Sequence, residues 1–480
     1  MTAESSLATI TAYDEIEYPT SIFNPTQPDR LATVARLAGL NPPPVETARV
    51  LEIAGGDGMN LLALGVAYPG AEFISFDLAQ TAVARGEAWR EAAGLDNVRV
   101  LTMDILDAAD ALDGEFDYII AHGLYAWVPQ HVRDATMALI GRKLSANGVA
   151  FVSYNALPGG YLRHAVRDAL NFALEGVPRE DRKAVATQTL EALAAETPPP
   201  EFAPVTAFRE SAKQALRKGW PVLCHDELGD SFKPEALINV VRNAEANGLR
   251  FLGDADRERM SDTFLPPNVE ADEDVETQIV RLTQASDYRN FNFFRMTLLV
   301  RAEQVPSRSL DHDALNDLYV SSRAIRHAPG TYRITEKALE FSDDVLIAMM
   351  DRLVDAYPNR IKVSDLVDSP ELRTVIFRLF DASFVDLSTL PPIWATSVSE
   401  RPLASPLVRT MLAEKMTVVC RLDHRLMTIG DDAARRLLAQ LDGTRTRADL
   451  TETARAVGLM DDAALEGALA SYARECVLVA

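Results

Sequence analysis

Cysteine is scarce in this chain. There are three in 480 residues, Cys224, Cys420 and Cys476, each far from the others. That spacing excludes a disulfide framework and the common zinc patterns, and it suits a reducing compartment. Apolar runs of membrane-spanning length are absent, and no basic-then-apolar stretch opens the chain, so a soluble, cytoplasmic protein without membrane insertion is expected. Basic charge is in deficit: 48 Lys and Arg stand against 70 Asp and Glu, a net charge of −22. Phosphate neutralisation needs clustered Lys and Arg, so no nucleic-acid partner is expected. The acidic balance favours a basic or neutral partner, although solubility alone also accounts for it. A metal site is not expected either. Cys224-His225-Asp226-Glu227 reads as part of a strand, where neighbouring side chains point to opposite faces, and the other histidines form no cluster.

With 48% hydrophobic residues, the chain has enough apolar material for two to four domains. Its most informative stretch is Arg49-Val50-Leu51-Glu52-Ile53-Ala54-Gly55-Gly56-Asp57-Gly58. A short β-branched run ends in a glycine cluster, and a helical pattern (Met59, Leu61, Leu62, Leu64, Val66) follows. A strand, a tight Gly turn and a helix bring backbone N–H groups close to a nucleotide. The spacing is neither G-x-G-x-x-G nor G-x-x-x-x-G-K-[ST], which disfavours a pyrophosphate cradle and excludes a P-loop. Further buried strands are expected over 71–77, 98–104, 116–123 and 148–155, with helices near 79–93 and 130–145 between them. Apolar strands alternating with helices predict an α/β fold, a parallel sheet covered on both faces. Ligands bind such sheets at the carboxyl ends of the strands. Glu52, Asp77, Asp104 and His122 all fall there. Asp77, about 20 residues after the loop, suits hydrogen bonds from two ribose hydroxyls.

The later chain is less regular. Residues 1–30 read as an ordered arm, and a helix is expected over about 28–39. Residues 161–217 read as three helices interrupted by Pro198-Pro199-Pro200, inserted between strands 5 and 6 as a cap over the cleft or a homodimer interface. A sixth strand is expected near Val222, then a helix between Pro234 and Gly248, then a strand over 250–254. This gives a core of 31–160 and 218–260. Residues 255–275 look like a boundary. Beyond it lies a weak duplication in which helix, short helix, longer helix and strand follow one another, once over 343–387 and once over 431–479. That order is winged-helix-like, so two such domains are expected, at 276–392 and 393–480. Given the acidic balance, a protein-recognition role is expected rather than DNA binding, and deletion from about residue 276 is expected to spare cofactor binding.

The loop, with its acid before the glycines, resembles the E-x-G-x-G-x-G turn of class I S-adenosylmethionine (SAM) methyltransferases. Over nearly the whole chain the sequence is similar to bacterial members that carry a methyltransferase regulatory domain, the best known being lysine methyltransferases of outer-membrane proteins. The likeness rests on Tyr13-Asp14-Glu15-Ile16-Glu17-Tyr18-Pro19-Thr20-Ser21-Ile22-Phe23, on 116–129, on Val152-Ser153-Tyr154-Asn155-Ala156-Leu157-Pro158-Gly159-Gly160, and on 401–407 and 441–445. It implies a Rossmann-like fold and SAM as cofactor. The cofactor-facing residues would be Glu52, Ala54, Gly56, Asp57, Gly58, Asp77 and Leu78, joined by Asp104 and Ile105 at the adenine, and by His122 and Tyr18. Tyr125, Trp127, His122 and Asn155 would serve the acceptor, the two aromatic rings lining a tunnel that desolvates an amine. Tyr154 and Tyr161 are further candidates for that lining. In the family the loop usually reads E-x-G-C-G. Here Ala54 and Gly55 replace the first Gly and the Cys, so Ala54 must keep φ negative or accept strain. A protein-lysine acceptor is the first reading. A small-molecule or peptide acceptor and a non-catalytic SAM-binding scaffold remain open beside it.

Overall fold

The computed structural model describes residues 11–195, 203–266, 268–272, 274–456 and 462–480. Its centre is a seven-stranded sheet in the order β3-β2-β1-β4-β5-β7-β6. The strands are β1 (Arg49–Ile53), β2 (Glu72–Asp77), β3 (Val98–Thr102), β4 (Phe116–Ala121), β5 (Leu144–Asn155), β6 (Leu249–Asp254) and β7 (Phe294–Arg301). The first five pair in parallel, and β7 runs antiparallel between β5 and β6. Helices Met59–Ala67, Gln80–Ala93 and Gln130–Lys143 connect the parallel strands. Gly94, at φ 66°, ends the second of these in the left-handed conformation that closes many helices.

Alternation along the strands divides the core in two. Leu51, Ile53, Ile74, Phe76, Ile119 and Val152 pack against the helices of residues 130–143 and 237–245. The opposite face, with Val50, Phe73, Tyr118, Ile120 and Phe151, packs against helix Pro28–Leu37 in a cluster that runs on through Val320, Met350, Leu407 and Leu469. The C-terminal half therefore shares the core of the sheet and is not an appendage to it.

Two expectations about the sheet edge change. Residues 221–226 are not a strand. They lie in helix Trp220–Leu228, with Pro221 in the first turn, where its missing N–H costs nothing. The strand that completes the sheet is β7, beyond the acidic 255–275 stretch, so the core extends past 260 to Arg301 and the middle unit begins later than 276. The stretch itself holds the turn Arg257–Thr263 and leads into helix Val275–Asn290. The inserted helices are Gly160–Ala173, Arg182–Ala194 and Ala203–Arg217, joined by 220–228 and packed around Val166, Leu170, Leu190 and Leu223. The triple proline at 198–200 lies outside the described residues.

The first C-terminal repeat takes the expected order, whereas the second has three helices in succession, with a middle helix longer than its first and, among the described residues, no final strand. The first comprises Asp344–Ala356, Val363–Leu366, Pro370–Asp381 and strand Asp386–Ser388. The second comprises Asp432–Ala439, Arg447–Ala456 and Asp462–Arg474, and its final segment forms isolated bridges at Leu478 and Val479. Between the repeats, Val418–Cys420 and Leu426–Thr428 form a hairpin.

Candidate active site

The loop after β1 is held by contacts that dictate its composition. Ala54 has φ 55°, so of the two sequence alternatives the strained one is realised. A Cβ on Gly55 would stand 2.1 Å from Ser75 Oγ and 2.7 Å from Glu52 Oε2, so a larger residue needs both side chains to move. Gly56 and Gly58 both have positive φ. From across the strand, Asp77 accepts hydrogen bonds from Gly56 N (2.9 Å) and Ala79 N (2.8 Å). Burial raises the Asp77 carboxyl above its ordinary range, and these N–H groups oppose the rise.

Glu52, Ser75, Asp77, His122, Ser153 and Asn155 alternate onto one face of the sheet, at or near its carboxyl edge. Glu52 is 3% exposed. It accepts from Asn60 Nδ2 at 2.7 Å, with Ser75 Oγ at 3.5 Å. Burial pushes its carboxyl up to about 8 despite the Asn60 bond. Asp57 is bonded by Met59 N, Thr20 Oγ1 and Arg85. His122 Nδ1 lies 3.0 Å from Ser153 Oγ, and its ring centre is 3.8 Å from that of Phe23. Burial lowers its pKa to about 4, so the ring is neutral at physiological pH. Asn155 is 8% exposed, and its Oδ1 has no hydrogen-bond partner.

The N-terminal arm crosses this edge. Besides Thr20 and Phe23, Asp14 accepts from Thr81 N at 2.9 Å, Tyr13 stacks on His225 at 4.0 Å, and Tyr18 donates to Asp226 at 3.2 Å. His225 and Asp226 thus join the arm to the insertion. Asp226 and Glu227 also pair with Arg163 and Lys218. Cys224 to Glu227 lie on a helix and not on a strand. Among the described residues, no three His, Cys, Asp or Glu side chains converge on a point where an ion would sit.

Other expected site residues lie elsewhere or do other work. Tyr125 is not in the cleft. It is buried in the core of the opposite face, where Asn243 Nδ2 donates to its hydroxyl at 2.9 Å. Trp127 packs against Phe232 with the Arg163 guanidinium 4.6 Å from its ring, so it ties the insertion to the sheet. Tyr154 is buried with its hydroxyl on Thr297, and Tyr161 is exposed on the insertion. Asp104 caps the helix Ile105–Ala111 through Leu106 N, Ile105 is buried beneath it, and Leu78 is exposed.

Asn60, Ser75, Ser153 and Phe23 were not singled out from sequence. Strand alternation from Glu52 and Asp77 points to Ser75 and Ser153, whereas nothing local marks Asn60. It binds Glu52 across the turn, and its Oδ1 accepts from Phe23 N (3.0 Å) while lying 2.8 Å from His424 Nε2.

The glycine-rich loop after β1, the acid that ends β2 and the sheet order with its antiparallel β7 are the features of a class I SAM-dependent methyltransferase fold. Comparison with known proteins agrees. Residues 50–148 match the methyltransferase domain family, 221–301 a predicted methyltransferase regulatory domain, and 400–467 the PKMT C-terminal winged helix domain. An uncharacterised protein of Rickettsia prowazekii (strain Madrid E) is 35% identical over 220 residues, 46% of this chain and 88% of that one. A second from the same organism is 30% identical over 318 residues, 66% of this chain and 57% of that one. The structure of PKMT2 from Rickettsia typhi superposes with a TM-score of 0.81 at 22% identity, covering 96% of this chain and all of that one, and it has also been solved in complex with AdoHcy. The chain belongs to the class I SAM-dependent methyltransferases, in the group that carries the regulatory and PKMT-type winged-helix domains. Among the described residues, no helix is long and apolar enough to cross a membrane.

Proposed function

We propose that this methyltransferase acts on lysine side chains of a protein acceptor. The observation that carries the reading is the buried, unpartnered Oδ1 of Asn155 on the sheet face that also bears Glu52, Asp77 and His122. A buried carbonyl without a partner costs free energy unless a donor arrives, and an amine N–H is such a donor. When bound, SAM supplies the electrophilic methyl on a sulfonium. Glu52 and Asp77 hold the amino-acid and ribose ends, and the Gly55–Gly58 backbone lets them approach. The neutral His122 adds no charge to repel the sulfonium, and with Phe23 it helps exclude water. A dry, aromatic wall favours the neutral form of an incoming amine, which is the form that attacks.

The protein acceptor is supported by the PKMT name of the structural relative and by the extra surface of the C-terminal half. The net charge of −22 suits a lysine-bearing partner and opposes nucleic acid. The N-terminal arm would cover the bound cofactor, and the inserted helices would flank the acceptor entrance. Three unpaired thiols suit a reducing, cytoplasmic setting. Incubating a cell lysate with the enzyme and SAM carrying a deuterated methyl group, followed by mass spectrometry, tests this. Label on protein lysines is expected. Label confined to small molecules or free peptides would transfer the site to that acceptor class, and no label despite cofactor binding would make the protein a scaffold.

A further inference from the structure

We propose that His424, at the tip of the C-terminal hairpin, is a positioning residue of the cofactor site, acting through Asn60 to orient Glu52. The inference rests on the reading of Glu52 as a cofactor ligand. His424 is 364 residues from Asn60 in sequence, yet its Nε2 is 2.8 Å from Asn60 Oδ1. Asn60 Nδ2 in turn donates to Glu52 Oε1 at 2.7 Å. A carboxamide presents one acceptor and one donor end. Phe23 N–H donates to Oδ1 while Nδ2 donates to Glu52 and to Thr26 Oγ1, so the neutral His424 beside Oδ1 is assigned the tautomer that carries its proton on Nε2. Exchanging the two ends would set Nδ2 against the Phe23 N–H and turn the donor away from Glu52.

The hairpin tip is built to hold this position. His424 is 1% exposed and sits at φ 57°, in the left-handed region that most side chains avoid. Asp423 on one side is paired with Arg421 at 2.8 Å and Arg425 at 2.9 Å, and Arg425 reaches Asp386 of the middle unit at 3.0 Å. Asn24 of the arm donates to the Asp423 carbonyl at 3.3 Å. Burial keeps the imidazole neutral, lowering its pKa to about 3, so it has a single N–H to give. Its Nδ1 is buried without a partner. An apolar residue would fill an ordinary domain contact at less cost than a bare ring nitrogen. The bond to Asn60 is what the imidazole provides that an apolar side chain lacks. The winged-helix domain is thereby joined to the acid that opens the cofactor loop.

A double-mutant cycle on the full-length protein tests the inference. Calorimetric titration with S-adenosylhomocysteine is compared for wild type, His424→Leu, Glu52→Gln and the double variant, with thermal melting as the folding control. His424→Leu is expected to raise Kd at least fivefold in the wild-type background and to have little further effect beside Glu52→Gln. His424→Gln, which can still donate to Asn60, should recover most of the affinity. An unchanged Kd for a folded His424→Leu, or an equal loss in both backgrounds, overturns the inference. An unchanged Kd for Glu52→Gln instead overturns the cofactor-ligand reading beneath it. If the leucine variant does not fold, the imidazole nitrogen resonances of His424 in the unmodified protein decide. They should shift on adding S-adenosylhomocysteine, and a lack of response overturns the coupling.

Discussion

Arg295 in β7 and Asp254 at the end of β6 are paired at 3.0 Å with neither side chain exposed. The same guanidinium also binds Asp287 at 2.8 Å and Asp262 at 3.2 Å. One cation therefore neutralises carboxylates from the strand, the helix and the turn that finish the sheet. Burial lifts Asp254 to about 6 even with its partner in place.

Replacing Arg295 with Leu should be among the most destabilising single changes in the molecule. It leaves two fully buried carboxyl groups without their cation, and breaking a buried pair from one side costs about 3–5 kcal/mol. Urea denaturation near neutral pH measures the loss. A loss under about 1 kcal/mol would mean that the carboxylates find other partners or protonate cheaply.

Glu52 predicts a pH dependence of its own. Its carboxyl is raised from 4.5 to about 8 in the folded, cofactor-free protein. Between those values the native state holds a proton that the unfolded state has released, so stability falls as pH rises through that window and levels off above it. Glu52→Gln removes the titration. Its melting temperature relative to wild type should climb from about pH 4.5 to pH 8, and parallel profiles would contradict the burial that raises the group.

Asp77→Ala should weaken SAM binding by about 1–3 kcal/mol, through lost hydrogen bonds to the cofactor and to Gly56 N. Calorimetric titration gives the figure, and an unchanged affinity would remove Asp77 from the cofactor site.

Truncation separates the sequence-based domain boundary from the structural one. Cutting before residue 276 removes β7, the strand hydrogen-bonded to both β5 and β6. The fragment should fail to fold, by circular dichroism and gel filtration, rather than retain cofactor binding as the sequence boundary implies. A folded fragment that still binds SAM would mean that β6 can close the sheet alone.

The chain's local patterns determined the parallel half of the sheet. Apolar runs at 49–53, 72–77 and 116–121, with the glycine cluster after the first, specify strand and turn with little outside help, so the strands that carry Glu52 and Asp77 were legible directly. The helices of the second repeat were also legible, because the start at Asp431-Asp432 and the spacing of Leu465 and Leu469 are local signals. Tertiary structure decided the rest. The apolar stretch Val222-Leu223-Cys224 lies in a helix, because Pro221 opens a first turn and Leu223 closes the core of the insertion. β7 was hidden because its pairing partners lie more than a hundred residues away along β5 and about forty along β6. Tyr125 and Trp127 both follow a strand end, but chain direction after that end sets what each ring meets: Tyr125 enters the core beside Asn243, and Trp127 meets Phe232 and Arg163. Asn60 and His424 carried no local signal at all. Their meeting is a property of one core shared between sheet and winged helix, and only the packing of that core brings a residue from the far end of the chain to the acid beside the cofactor loop.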